Sequence, residues 1–158
     1  MEIVLDRPDV VMGWHAPVVV VWWRNTPNLA AAQAVHENLT RVMQNYGVGC
    51  IFVVLTDTAS VGAPDRASAD VLGKTTRSLE KYIVAHAFVI EGTGLRSSAL
   101  RQTVRMLQSF TRVIFPQTIA QTTEEGFLWV ARKAQFLTEE EARVILGEVK
   151  QMKAARGA

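Results

Sequence analysis

Three loops that follow predicted strands carry the polar side chains best placed to bind a partner. The strands end near Arg24, Thr56 and Ile90. Functional groups of α/β proteins converge at the carboxyl ends of parallel strands, so we expect these loops to meet. The pattern predicts a binding site for a polar partner or an anion, although ordinary polar loops would look the same. The predicted binding residues are Arg24, Asp57, Thr58, Ser60, Glu91, Thr93 and Arg96.

A glycine-containing turn is the only phosphate-binding pattern that we identify in the sequence. Gly92 and Gly94 follow a predicted strand and open a helix, which is the context of a dinucleotide-binding turn. Ser97 replaces the third glycine of that fingerprint, and no acid follows about 20 residues later to bind a ribose. A structural turn that needs glycine is therefore favoured, while an anion held by the helix amides beside Arg96 stays open.

Nucleophilic and metal-binding chemistry finds no support in the spacing of cysteine and histidine. The single cysteine, Cys50, lies within an apolar strand, where burial raises the thiol pKa and lowers its reactivity. His15, His36 and His86 show no paired metal-ligand spacing. We predict that His86, between two alanines, is a hydrogen-bonded core or edge histidine. These patterns predict a protein that is not an enzyme and has no metal site.

A segment without acidic residues, between Glu91 and Glu124, offers a second kind of surface. Arg101, Arg105 and Arg112 follow helical spacing there and are predicted to form a basic face. Such a face could contact nucleic acid or an acidic protein. No aromatic residue is interleaved and the net charge is only +2, so a solvated helix face is favoured and nucleic-acid binding is not predicted.

The elements that must position these residues alternate between strands and helices. Strands are predicted over 17–24, 50–56, 84–90 and 112–115, with 118–121 as an extension of the last, and the segment 1–14 adds one or two edge strands. Thr26 is the predicted N-cap of the first long helix, and Thr138 and Glu141 have the spacing of a capping box. The inward side chains of the helix over 95–110 are predicted to be Leu95, Ala99, Val104, Leu107 and Phe110.

Strand–helix–strand units of this length favour parallel pairing. The predicted fold class is α/β, with a small, mostly parallel sheet of four to six strands and four or five flanking helices. Residues 1–136 form the predicted domain. Residues 137–158 form an amphipathic C-terminal helix that packs on this domain or on a partner.

Composition points to an ordinary globular chain. Hydrophobic residues make up 49% of the 158 residues and charged residues 20%. The longest apolar run, over 16–23, is far shorter than the ~20 residues of a membrane span. The first residues lack the basic cluster of a signal peptide, and a lone cysteine suits a reducing compartment. We expect a cytoplasmic protein that does not associate with membranes.

The order of segments resembles the STAS-like family, which includes anti-sigma-factor antagonists and SEC14-like proteins, and most closely its bacterial branch. The likeness spans about residues 1–135 and includes Val-Leu-Thr-Asp over 54–57 and Ala-Pro-Asp-Arg over 63–66. It implies a small sheet with helices, no cofactor, and function through docking onto a protein. In the antagonist branch a partner kinase phosphorylates a serine after the corresponding strand. Ser60 is the nearest counterpart here, although Thr58 and Ala59 separate it from Asp57.

Two functions follow as expectations. The first is a non-enzymatic regulatory or scaffolding module that acts through protein–protein interaction, with a kinase-type or signalling partner or as a homodimer. The alternative is a small-ligand or nucleotide/phosphate-binding domain that uses the strand-end loops.

Overall fold

The computed structural model describes residues 1–56, 59–110 and 112–157, without the side chains at 107, 109 and 110. The strands are β1 (Glu2–Asp6), β2 (Val10–His15), β3 (Val18–Trp23), β4 (Cys50–Thr56), β5 (Ile83–Ile90) and β6 (Gln117–Ala120). The helices are α1 (Leu29–Tyr46), α2 (Arg66–Ser78), α3 (Leu95–Phe110), α4 (Thr123–Ala134) and α5 (Glu139–Ala154). A short 3₁₀ helix over Glu80–Tyr82 joins α2 to β5. The α/β class is therefore confirmed.

The six strands form one sheet in the order β1-β2-β3-β4-β5-β6. The first three strands pair antiparallel, whereas β3, β4, β5 and β6 pair parallel. The prediction of a mostly parallel sheet was therefore wrong, because the sheet is mixed. Only Ala16 and Pro17 separate β2 from β3. Two residues can close an antiparallel hairpin, but a parallel connection needs a long crossover.

The sheet is covered on both faces, and the alternation of side chains along β3 assigns each face. Val18, Val20 and Trp22 pack in a core with α4 and α5. The other side chains of β3, at 19, 21 and 23, pack in a second core with α1. A strand buried on both sides reads as a continuous apolar run, which is why the sequence predicted β3 well.

The entry to α1 differs from the prediction. Asn28 is the N-cap, and its side chain accepts a hydrogen bond from the amide of Ala31. Thr26, the predicted cap, instead accepts a hydrogen bond from the amide of Gly62 at 2.7 Å. Both residue types are good caps, so composition does not distinguish them. Thr26 thus joins the loop after β3 to the loop after β4.

The predicted strand over 112–115 was wrong within the described residues, but its predicted extension over 118–121 overlaps β6, which begins at Gln117. Pro116 has no amide hydrogen to donate, but its carbonyl accepts a hydrogen bond from the amide of His86 at 3.0 Å. Ile114 is exposed, and Phe115 is buried against the core of α1. Pairing of this segment with β5 therefore starts at the proline and continues after it.

The inward face of α3 is rotated from the predicted one. Leu95 is 92% exposed and Ala99 is exposed as well. Ser97 and Arg101 are buried instead. Val104 is half-buried, which agrees with the prediction in part, and the side chains of Leu107 and Phe110 lie outside the described part of the structure. The prediction differs because apolar periodicity alone places arginine on the solvent side of a helix, whereas Arg101 is buried.

The C-terminal helix folds back onto its own domain. The stripe buried against the sheet consists of Ala142, Ile145, Leu146, Val149 and Met152. The capping box of Thr138 and Glu141 is present at its start, as predicted. Of the two predicted arrangements, the structure has the one in which the helix packs on its own domain. None of the helices over the described residues combines the length and hydropathy needed to cross a membrane.

Candidate functional site

A cavity of about 330 Å³ lies between α2 and α3, above β4 and β5. Its floor includes Val54, His86 and Phe88 from the sheet. Apolar side chains from both helices form the walls, among them Leu72 and Val104. Both the volume and the mostly apolar lining are those of a small-molecule site. This cavity, rather than the strand-end loops, is the best candidate site in the described structure.

His86 is the most unusual residue of the cavity. Its side chain is 1% exposed, and its ring stacks on Phe52 with centroids 4.5 Å apart and lies 4.3 Å from the ring of Phe88. Neither ring nitrogen has a hydrogen-bond partner among the described residues. The predicted burial was correct, but the predicted hydrogen bonding was wrong. An unpaired buried polar group costs about 1–3 kcal/mol, so its presence calls for a reason.

The protonation state of His86 follows from its surroundings. Burial away from water lowers the pKa of the imidazole to about 3. At neutral pH the ring is therefore uncharged, with one N–H donor and one lone-pair acceptor. Such a ring is a poor general base, because a base with so low a pKa holds protons weakly. It is suited to hydrogen bonding rather than to proton transfer.

Gln108 of α3 lines the same cavity, and its amide nitrogen is also buried without a partner in the described structure. It follows Leu100 and Val104 at intervals of four residues, so the three share one face of α3. The sequence reasoning missed this residue. The signal was present, since a glutamine continues an apolar i, i+4 stripe.

One end of the cavity lies near the ends of β3 and β4. Trp23 and Thr56 line it there, together with Gly62 from the loop after β4. Charge is confined to Asp70 and Arg77 of α2, both of which are exposed. The interior of the site is therefore uncharged, whereas its rim carries one acid and one base.

The strand ends adjoin each other as the sequence predicted, because Trp23 pairs with Thr56 and Thr56 pairs with Ile90. The side chains that follow them serve other contacts. Arg24 donates to the backbone carbonyl of Arg156 at 3.0 Å. Glu91 accepts a hydrogen bond from Thr123 and lies 3.6 Å from the amine of Lys153. Arg24 and Glu91 thus connect the carboxyl ends of the strands to the helices that cover the opposite face of the sheet. The structure therefore does not place these two side chains in the cavity.

Some of the remaining predicted binding residues are exposed, and the others lie outside the described part of the chain. Ser60, Thr93 and Arg96 are exposed. Asp57 and Thr58 lie outside the described residues. The phosphorylation of Ser60 stays a prediction, which its exposure permits.

Arg101 does not belong to an exposed basic face, and that prediction was wrong for this residue. Its side chain is 7% exposed and donates to the carbonyls of Ile90 at 2.9 Å and Gly92 at 2.8 Å. These bonds join the end of β5 to α3. Arg105 and Arg112 are exposed. Arg101 thus binds the backbone carbonyl of Gly92 in the glycine-containing turn and that of Ile90 just before it. These hydrogen bonds give the turn a structural explanation that needs no phosphate.

Replacement of Arg101 with methionine is expected to lower the free energy of unfolding by about 2 kcal/mol, since charged hydrogen bonds to buried carbonyls are lost. The same change at Arg105, which is exposed, should alter it by less than about 0.5 kcal/mol. Urea denaturation of both variants checks this. Equal effects of the two substitutions would contradict the structural role of Arg101.

The other titratable candidates carry little chemistry. Burial raises the pKa of the Cys50 thiol to about 11, so little thiolate forms at neutral pH. His15 contacts the carboxylate of Glu148 at 2.7 Å, and His36 contacts the hydroxyl of Thr75 at 2.9 Å. Over the described residues, no group of three His, Cys, Asp or Glu side chains is placed to hold a metal ion.

Comparison of the chain with protein-family models, with curated proteins and with solved structures finds no match. The case for a function therefore depends on the geometry of the cavity and on the physical chemistry of its lining.

Proposed function

We propose that the protein is a non-enzymatic regulatory domain that binds a small, mainly apolar molecule in the cavity between α2 and α3. The observation that carries this proposal is the unpartnered imidazole of His86 in an apolar cavity of about 330 Å³. A ligand that hydrogen-bonds this ring would remove the cost of its burial. The proposal keeps the ligand-binding alternative from the sequence, but moves the site from the loops to the space between two helices.

Two features support a binding role over a catalytic one. His86 has a pKa of about 3, which makes it a weak base at neutral pH. The hydroxyl-bearing residues of the lining are Thr56 and Thr76, and Thr76 already donates its hydroxyl hydrogen to the carbonyl of Leu72 at 3.1 Å. Activation of a threonine needs an adjacent base. The lining therefore favours recognition of a molecule rather than attack on it.

The regulatory part of the proposal rests on the resemblance to STAS-like domains, which function by docking onto other proteins. The cavity separates α2 from α3, so a bound molecule would contact two surface helices at once. A protein that docks on these helices would then sense whether the cavity is occupied. Homodimerisation and a kinase-type partner stay predictions of the same kind.

The test is a screen for binding of neutral molecules of one to three rings, observed by NMR of the isotopically labelled protein. We expect hits to shift the amide signals of His86, Phe88 and Val104, which line the cavity. Filling the cavity should remove the shifts. Gly73 of α2 lines it, and an added Cβ at this position would meet no atom within 4 Å. Gly73→Leu should therefore fold and lose binding.

Gly147→Leu is the matched control, since Gly147 lies in α5 on the opposite face and also has open space around it. This variant should bind the same hits as the unmodified protein. The proposal fails if no molecule in the screen shifts the cavity amides. It also fails if Gly73→Leu binds the hits unchanged.

A further inference from the structure

We propose that the ligand of this cavity is an uncharged, flat, two-ring aromatic molecule with a carbonyl or hydroxyl oxygen at its inner end. This inference rests on the proposed function and assigns a chemical class to its ligand. Four properties of the cavity carry it: the volume, the hydrogen-bonding groups, the placement of charge, and the aromatic side chains.

The volume sets the size of the ligand. An apolar cavity of ~150 Å³ in another protein binds benzene. The present cavity, at about 330 Å³, is roughly twice as large. Two fused rings therefore match it better than a single ring.

Two unpartnered groups set the polarity of the ligand. The amide nitrogen of Gln108 is a donor, and the neutral ring of His86 offers one donor and one acceptor. A carbonyl oxygen of the ligand can accept from a donor of this pair. A hydroxyl can instead accept from Gln108 and donate to the lone pair of the imidazole, because its oxygen can reach one ring nitrogen at a time. A hydrocarbon without oxygen would leave all of these groups unpaired, so it should bind less tightly.

The charges around the cavity indicate the charge of the ligand. Among the described residues, those that line the interior of the cavity carry no ionic group. Asp70 and Arg77 are the charged side chains that line it, and both are exposed. A ligand with a buried charge would lose its hydration without gaining an ionic partner. Uncharged molecules are therefore favoured.

Aromatic side chains favour a flat ligand. Trp23, His86 and Phe88 contribute rings to the lining. Aromatic rings in contact gain about 0.5–1.5 kcal/mol beyond the area they bury, a factor of about 2 to 13 in affinity. A planar molecule can use this gain while it lies between the two helices.

Four probes of nearly equal size test the assignment by isothermal titration calorimetry at pH 7. They are 2-naphthol, naphthalene, 2-naphthoate and the saturated alcohol 2-decalol. We expect 2-naphthol to bind about 5 to 20 times more tightly than naphthalene, because only it pairs the unpartnered groups. It should also bind more tightly than the anion and the saturated alcohol. Gln108→Leu should remove most of the advantage of 2-naphthol over naphthalene.

Gln102→Leu provides the control, since Gln102 lies in the same helix and is exposed. It should leave the affinities unchanged. Equal binding of naphthalene and 2-naphthol, unaffected by Gln108→Leu, overturns the assignment of an oxygen but leaves the proposed function standing. Tightest binding of 2-naphthoate overturns the neutral class, and tightest binding of 2-decalol overturns the aromatic class. Binding of no probe, together with a negative ligand screen, overturns the proposed function itself.

Discussion

Replacement of His86 with phenylalanine is expected to raise the free energy of unfolding at pH 7 by about 1–3 kcal/mol. The change removes two buried nitrogen atoms that have no partner in the described structure. It also keeps a ring next to Phe52, on which His86 stacks. The slightly larger phenyl ring can extend into the adjoining cavity. A residue whose removal stabilises the protein is one that folding does not require, so the expected gain in stability would point to a binding role.

The same variant should also lose a component of the pH dependence of stability. The pKa of His86 is about 3 in the folded protein and 6.5 as its ordinary value, because burial disfavours the charged ring. Between these values the unfolded chain takes up a proton that the folded chain does not. The contribution of the buried neutral His86 to the free energy of unfolding is therefore fully present above pH 6.5 and is lost as the pH falls toward 3. Its slope is about 1.4 kcal/mol per pH unit, on the order of 5 kcal/mol in total.

Urea denaturation at intervals between pH 4.5 and 7.5 measures this component as the difference between the two proteins. The carboxylates with lowered pKa contribute mainly below this range and are present in both proteins, as are the exposed Asp70 and Arg77 that line the cavity. We expect the advantage of His86→Phe to grow as the pH falls. A constant difference across the range would show that the imidazole titrates normally and would contradict its burial.

Replacement of Gly126 with leucine is expected to lower the free energy of unfolding by about 3 kcal/mol. Gly126 lies in α4, where the helix packs closely on the sheet. An added Cβ would stand 2.7 Å from a methyl group of Val89 and 3.5 Å from the Cβ of Ala120. Val89 is fully buried and β-branched, so its methyl group cannot rotate away freely. The helix would have to move off β5 and β6, which separates the core beneath it.

Gly147 of α5 again supplies the matched control, because leucine there is also placed within a helix. No atom lies within 4 Å of an added Cβ at Gly147. Its replacement with leucine should raise stability by about 0.5–1 kcal/mol, since glycine is a poor helix former. Thermal and urea denaturation of the two variants compare the effects directly. Opposite signs are the expected result, and a stable Gly126→Leu protein would contradict the close packing of α4 on the sheet.

Local patterns in the sequence predicted most of the elements. β3 and β4 are continuous apolar runs, and the capping box at Thr138 marks the start of α5. Each of these signals depends on residues within a few positions of one another, so it can be recognised without knowledge of the fold. The errors occurred where a distant residue determined the outcome. Asn28 rather than Thr26 caps α1, because Thr26 binds the amide of Gly62.

The candidate site shows the same division. The sequence by itself determined the α/β class, the two-faced burial of the central strands and the position of His86 within β5. Only the tertiary structure decided that the sheet is mixed, that Arg101 is buried, and that His86 and Gln108 line one cavity. The physical reason is that a cavity is a property of the space between elements. Its size depends on how far apart α2 and α3 pack on the sheet, and no local pattern of side chains records that distance.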